Sequence, residues 1–261
     1  MERFLKNPNL PENAVSEVMI SDYKPEFKSE LERMGIKVTV PKAIENIRGS
    51  ERYHADMSVL HIGGNQFLYA AELNEQVTAE QPLLNICIFG NNVICNTKTV
   101  YKPALEMLKN RRIIHTNQRY AKCCCAVAGE NAVITSDNGI YKICLANQID
   151  VLKISVGDIL LDGYAYGFIG GCCGLIAKDT LAFSGNVKLH KDFANMRDFA
   201  RNHHIELYSL TNEKLYDIGG ILPIKQKVGF FERGYGGKLF FAKKVFPQSY
   251  LLKFAEKCRI I

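Results

Sequence analysis

The feature that most constrains this chain is a recurrence. A strand, a tight turn, a second strand, a helix and a third strand follow one another three times, over 86–115, 123–154 and 172–210. The plainest copy lies between Gly167 and Gly185. There Leu175 and Ile176 lead into a polar Lys178-Asp179-Thr180 turn, and Leu181, Ala182 and Phe183 lead out. Gly90-Asn91-Asn92 and Gly129-Glu130-Asn131 form the equivalent turns, and a partial copy at 57–70 turns through Gly63-Gly64-Asn65. In the third copy a helix over 189–202 places Leu189, Phe193, Met196 and Ala200 on one face.

The two ends of the repeat region are complementary fragments. Over 14–41 there is a strand, then a helix opened by Asp22 and Pro25 with Phe27, Leu31 and Met34 on one face, then a Gly35 stop and an alternating strand. This unit lacks an opening strand. At the other end, the stretch from Leu215 to Pro223 reads as a strand with no helix after it, and joining the two fragments gives a fifth copy. The turn residues Asn65, Asn92, Asn131 and Thr180 are unevenly spaced, which excludes a solenoid of fixed period. The expected fold class is α/β with small mixed sheets. Five ββαβ units close into a ring, and Leu215–Pro223 completes the first. An ordinary three-layer α/β sandwich is the alternative.

Charge divides the chain. From Lys225 onward nine Lys/Arg face two Glu, a net of +7, whereas the preceding 224 residues hold 24 basic and 25 acidic groups, a net of −1. A nearly neutral body gives no support to a general nucleic-acid surface. The expected division is therefore 1–226 as the repeat domain and 227–261 as a basic, aromatic extension, accessory or poorly ordered. That extension is where contact with RNA, a membrane surface or a protein partner would lie. There is no apolar run of spanning length and no signal-peptide core, and the odd number of cysteines reads as reduced thiols. A cytoplasmic location is expected.

Taken with the repeats, Tyr53-His54-Ala55-Asp56-Met57, Gly167-Phe168-Ile169-Gly170-Gly171 and Asp217-Ile218-Gly219-Gly220 resemble the guanidino-group-modifying-enzyme fold, the pentein or five-bladed α/β propeller. The nearest likeness is to an uncharacterised bacterial branch, over about residues 12–224. The resemblance implies pseudo-fivefold symmetry and a polar central channel that takes a small guanidino, amidino or amide compound. Its members include deiminases, amidinohydrolases and amidinotransferases, and also a non-catalytic ribosome anti-association factor, so the fold alone fixes no chemistry.

Catalytic members use a cysteine thiolate to attack the guanidinium carbon, carboxylates to grip its nitrogens, and a histidine to move protons. His54 and Asp56 supply two of these types. In an extended segment they would face the channel together, since residues i and i+2 share a side. The nucleophile departs from the family pattern: Gly219-Gly220 is followed by Ile221-Leu222-Pro223-Ile224, with no thiol, and Cys258 in the extension is the only later one. Cys172, which follows Gly170-Gly171, and Cys123, which follows Lys122, are the candidate nucleophiles, both at strand starts. Lys122 would lower the thiol pKa. Strand alternation forbids Cys172 and Cys173 from both lining a channel, and any one of these cysteines reads equally as a small buried hydrophobe. Asp162, Asp217, Lys122 and Arg119 are the candidate substrate-binding residues. Asp137 also reads as a helix cap beside Ser136, and Gly219-Gly220 as a place of close backbone approach. With no CxxC pair, neither a metal nor a cofactor is expected. A non-catalytic binding module of the same fold is the alternative to an enzyme.

Overall fold

In the computed structural model, which describes residues 1–228, the recurrence becomes five small sheets beside a sixth, two-stranded one. The first contains β1 (Glu2–Phe4), β2 (Val15–Met19) and, after helix α1 (Pro25–Arg33), β3 (Lys37–Thr39). A short helix, α2 (Ala55–Ser58), precedes the hairpin of β4 (Val59–Gly63) and β5 (Gln66–Tyr69). The third sheet holds β6 (Cys87–Phe89), β7 (Asn92–Cys95), helix α3 (Lys102–Met107) and β8 (Arg112–His115). The fourth holds β9 (Ala126–Gly129), β10 (Ala132–Thr135), α4 (Asn138–Ala146) and β11 (Asp150–Lys153). After the two-residue strand β12 (Ile159–Leu160), the fifth holds β13 (Cys173–Ala177), β14 (Thr180–Phe183), α5 (Phe193–Asn202) and β15 (Glu206–Ser209).

The last three sheets share one wiring. An antiparallel hairpin is followed by a helix that returns the chain parallel to the second strand, as in Asn92↔Arg112, Ala132↔Asp150 and Thr180↔Glu206. The central strands β7 and β10 are buried along their whole length, which is why they read as continuous apolar runs. Asp137 caps α4 as expected, accepting from the Ile140 N–H at 2.7 Å. α5 buries Met196 and Ala200, but it starts at Phe193, so Leu189 lies outside the helix and is exposed.

The joining of the termini differs in detail from the expected strand. Leu215 to Pro223 is not one strand. β16 (Leu215–Tyr216) pairs parallel with β12. The chain then turns through Gly219 and Gly220, both at positive φ, before β17 (Leu222–Lys227) pairs antiparallel with β2. Such backbone conformations cannot continue a strand. β1, which the sequence reading misses, lies on the other edge of β17, giving the order β1-β17-β2-β3.

Apolar clusters join the sheets in pairs. Phe4, Met19, Leu222 and Ile224 of the first sheet meet Val59 and Phe67 of the second. Leu60 and Ile62 meet Ile88 and Val93. Phe89 and Ile94 meet Val127 and Val133. Ala128 and Ile134 meet Leu175 and Phe183. Finally Ile176 and Ala182 of the fifth sheet meet Val15 and Val18 of the first. A wholly buried side chain such as Phe183 contributes about 2–3 kcal/mol. Among the described residues no helix is long and apolar enough to cross a membrane. Apart from its first two residues, the predicted extension over 227–261 lies outside the described residues.

Candidate functional site

His54, Cys123 and Asp217, far apart in the chain, line one cavity of about 150 Å³. That is roughly five waters' share of liquid volume, room for a small organic ligand.

His54 is placed by a change of helix type. A 3-10 turn, Ser50–Tyr53, runs into α2, and His54 is the extended joint between them, with φ −66° and ψ 123°. The expected strand is absent, and with it the reason for His54 and Asp56 to face the same way. Two residues along an α-helix differ by about 200°. Asp56 accordingly lines a second cavity of about 20 Å³, shared with Asn9, His61 and Lys122.

Asp217 is seated by backbone. Its Oδ2 accepts from the Phe168 N–H at 2.8 Å and its Oδ1 from the Gly219 N–H at 3.0 Å, while Oδ1 lies 3.8 Å from His54 Nδ1. A Cβ on Gly171 would fall 2.1 Å from that same Oδ1. Gly171 therefore serves to admit a buried carboxylate, while Gly170 admits the carbonyls of Lys122, Cys123 and Cys125. Burial is the main reason the Asp217 pKa is raised to about 6, and the neighbouring Asp56 charge adds to it. His54 and the two N–H donors work against the shift.

Cys123 lies in the turn before β9, not in a strand. Asn85, wholly buried, organises it. Asn85 Nδ2 donates to Cys123 Sγ at 2.9 Å and to the Asp56 carbonyl at 3.1 Å, and Oδ1 accepts from the N–H groups of Lys122 at 2.7 Å and Cys123 at 3.3 Å. Asn85→Ala leaves those buried donors unpaired. It should cost about 2 kcal/mol in a urea titration, and a loss under about 0.5 kcal/mol would remove Asn85 from this role.

The Cys123 thiol shifts in the direction opposite to the one expected from Lys122. Burial, then the Asp56 and Asp217 carboxylates, push the Cys123 pKa well above its ordinary value. Lys122 is itself buried, which works against its charge, but Cys87, Cys173 and Asp56 around it hold its pKa up. Both oxygens of Asp56 are without a hydrogen-bond partner.

The walls of the larger cavity are aromatic. Tyr120 and Phe168 stack with ring centroids 6.1 Å apart, Tyr164 and Tyr166 stand at an exposed rim, and Glu51 lies beside Tyr164. The Tyr120 hydroxyl donates to the Ala79 carbonyl, fixing the opposite wall.

Three predicted site residues are elsewhere. Cys172 is wholly buried in an apolar cluster, and it and Cys173 both direct their thiols at the Ile169 carbonyl, at 3.2 Å each. The predicted divergence fails because Cys172 ends a 3-10 turn, so strand alternation does not relate it to Cys173. Asp162 is exposed and accepts from the Tyr23 hydroxyl at 2.6 Å. Arg119 is exposed and donates to the Glu80 carbonyl at 2.9 Å. Gly219 to Leu222, where the family's thiol would fall, line the small cavity without one, and Cys258 lies outside the described residues. Among the described residues no group of three or more His, Cys, Asp or Glu is arranged to hold a metal ion.

A family model described as a family of unknown function, DUF6873, matches residues 78–222. No curated protein matches the chain. Among solved structures, the inosamine-phosphate amidinotransferase StrB1 from Streptomyces griseus superposes with a TM-score of 0.50 at 11% identity, covering 93% of this chain and 100% of that one. The amidinotransferase SxtG of the saxitoxin pathway, from Microseira wollei, superposes with a TM-score of 0.46 at 11% identity, covering 78% and 90%. A dimethylarginine dimethylaminohydrolase gives 0.45 at 9% identity, covering 75% and 92%. These likenesses concern the fold. The chain has the mixed α/β pentein fold of guanidino-group-modifying enzymes.

Proposed function

This chain belongs to the DUF6873 family of unknown function, and we propose that its larger cavity binds a small guanidino, amidino or amide compound, with Cys123 as the nucleophile where reaction follows. The observation that carries the reading is the convergence of His54, Cys123 and Asp217 on one aromatic-walled cavity. We also read the five sheets as a closed ring of five blades around this site. The pairwise order of the apolar clusters supports it, since each sheet shares one cluster with the sheet before and one with the sheet after.

The roles follow from charge. A planar cation held against Asp217 offers its central carbon to Cys123 Sγ. The same cation offsets the carboxylates that hold the thiol protonated, so ionisation of Cys123 is coupled to occupancy. His54, whose Nδ1 lies 3.8 Å from Asp217 Oδ1, receives the thiol proton and returns it to a leaving amine.

A second reading, a binding module without catalysis, is favoured by the surroundings of Cys123, where burial and then the Asp56 and Asp217 carboxylates raise the thiol pKa. One experiment separates the two. The cationic reagent 2-chloroacetamidine should alkylate Cys123 at least about tenfold faster than neutral 2-chloroacetamide, because an amidinium gains a charge-assisted bond to Asp217. Ammonia or urea release from a panel of guanidines then marks an enzyme, and an adduct without release marks a binder. No adduct on any cysteine, together with no release, would falsify both.

A further inference from the structure

The charged groups lining the larger cavity are unusually one-sided. Glu51 and Asp217 are acids, His54 is the one imidazole, and among the described residues no lysine or arginine lines it. Three cations from neighbouring segments face other groups. Lys122 lies in the small cavity with Asp56. The Arg119 guanidinium donates outward to the Glu80 carbonyl. The Arg52 guanidinium lies over the ring of Tyr53, 5.4 Å from its centroid. The two acids stand at different depths, Asp217 almost wholly buried and Glu51 partly exposed beside the rim residue Tyr164. Four rings, Tyr120, Phe168, Tyr164 and Tyr166, form much of the wall.

This arrangement discriminates by charge along the whole ligand, not only at its head. A cationic head gains from Asp217, and a cation anywhere along the wall gains from the ring faces. An alkyl or aryl body gains from burying apolar surface on the same rings. A carboxylate gains no ion pair: it would meet Glu51 at like charge and lose hydration with no lysine or arginine among the described lining residues to offset it.

Resting on the reading of this cavity as a small-molecule site, we propose that it selects carboxylate-free organic cations, guanidinium or amidinium compounds with an alkyl, aryl or second cationic substituent, and rejects zwitterionic amino acids that carry the same head group.

Isothermal titration calorimetry of the full chain with n-butylguanidinium and with L-arginine tests this. Butylguanidinium should bind at least about tenfold more tightly, the scale of one like-charge contact plus one lost ring contact. Glu51→Lys, a change at a partly exposed position, should narrow or reverse the preference by giving the carboxylate a partner. Tyr164→Ala should weaken butylguanidinium about fivefold. Arginine binding as tightly as butylguanidinium, or a preference that Glu51→Lys leaves unmoved, overturns the selection while the cavity stands as the site. Heat from neither compound, with no protection of Cys123 against alkylation by 2-chloroacetamidine, overturns the selection and the site together.

Discussion

Gly219→Ala should lower the melting temperature by about 10 °C and abolish labelling of Cys123, whereas Gly35→Ala should cost only about 3 °C. The two glycines have almost the same backbone, φ +76° at Gly219 and +77° at Gly35, so the strain of placing an L residue there is common to both. That strain is about 1 kcal/mol. They differ in surroundings. A Cβ on Gly35 meets nothing within 4 Å, but on Gly219 it falls 2.3 Å from His54 Cβ and 2.4 Å from His54 Cα. His54 is not free to yield. Its N–H donates to the Glu51 carbonyl at 3.0 Å, and the next turn is pinned to Gly219 itself, whose carbonyl accepts from the Asp56 N–H at 3.0 Å. Overpacking of this kind costs about 2 kcal/mol more, bringing the total to about 3 kcal/mol, or about 10 °C for a chain of this size. Because the displaced residue is the proposed proton carrier, labelling of Cys123 should be lost along with stability. If the two variants melt within about 2 °C of each other, the close approach of Gly219 to His54 is not what shapes the site.

The same contact shows what the sequence could and could not disclose. Glycines that admit a neighbour are legible as a class: Gly170-Gly171 and Gly219-Gly220 stand out, and one of each pair packs on the site, Gly171 on Asp217 and Gly219 on His54. The hairpin turns are legible for a related reason, since Gly90 and Gly129 at positive φ leave a local signature. Which side chain the glycines admit is not legible, because it comes from another sheet. Asn85 bonds Cys123 across 38 residues and Phe168 bonds Asp217 across 49. A buried asparagine between Leu84 and Ile86 carries no periodic signal. The alternation Tyr164-Ala165-Tyr166-Gly167-Phe168 does carry one, and marks the aromatic wall for a reader who looks for it. The misplaced residues share a cause. Cys172, Cys123 and His54 were oriented by strand geometry, but each lies in a turn or at a helix joint, where alternation has no meaning. Arg119 and Asp162 come from segments that border the cavity, but their side chains leave toward solvent to bond Glu80 and Tyr23.

Unfolding free energy should fall by about 3 kcal/mol between pH 4 and pH 7 through Asp217 alone. An aspartate's ordinary value of 3.8 is raised to about 6 in the fold, chiefly by burial, so over this interval the native state holds a proton that the unfolded chain has released. Stability from this group is therefore fully present below pH 3.8 and is lost as the pH rises through 6. A shift of about two units corresponds to about 3 kcal/mol. Other carboxylates, such as Glu17 with its pKa lowered net by Lys225 and Lys37 against burial, tilt the total the other way, so the measurement must be a difference. Asp217→Asn removes the proton. It also turns an amide N–H₂ toward one of the N–H donors of Phe168 or Gly219, so this variant should be the less stable protein at pH 4. The gap should then close by about 3 kcal/mol by pH 7 in paired urea titrations, and parallel curves would dismiss the buried charge. His54, Asp56 and Cys123 face the same carboxylate, and of these the histidine is the one able to offset it. An organic cation does so directly. Its affinity should rise about tenfold per pH unit below 6 and level off above, because it binds the ionised form that the empty fold disfavours. On the reading of this cavity as a cation site, the fold keeps a carboxylate whose charge is costly until an occupant of opposite sign arrives. That cost is what a cationic ligand relieves on binding and a neutral one does not.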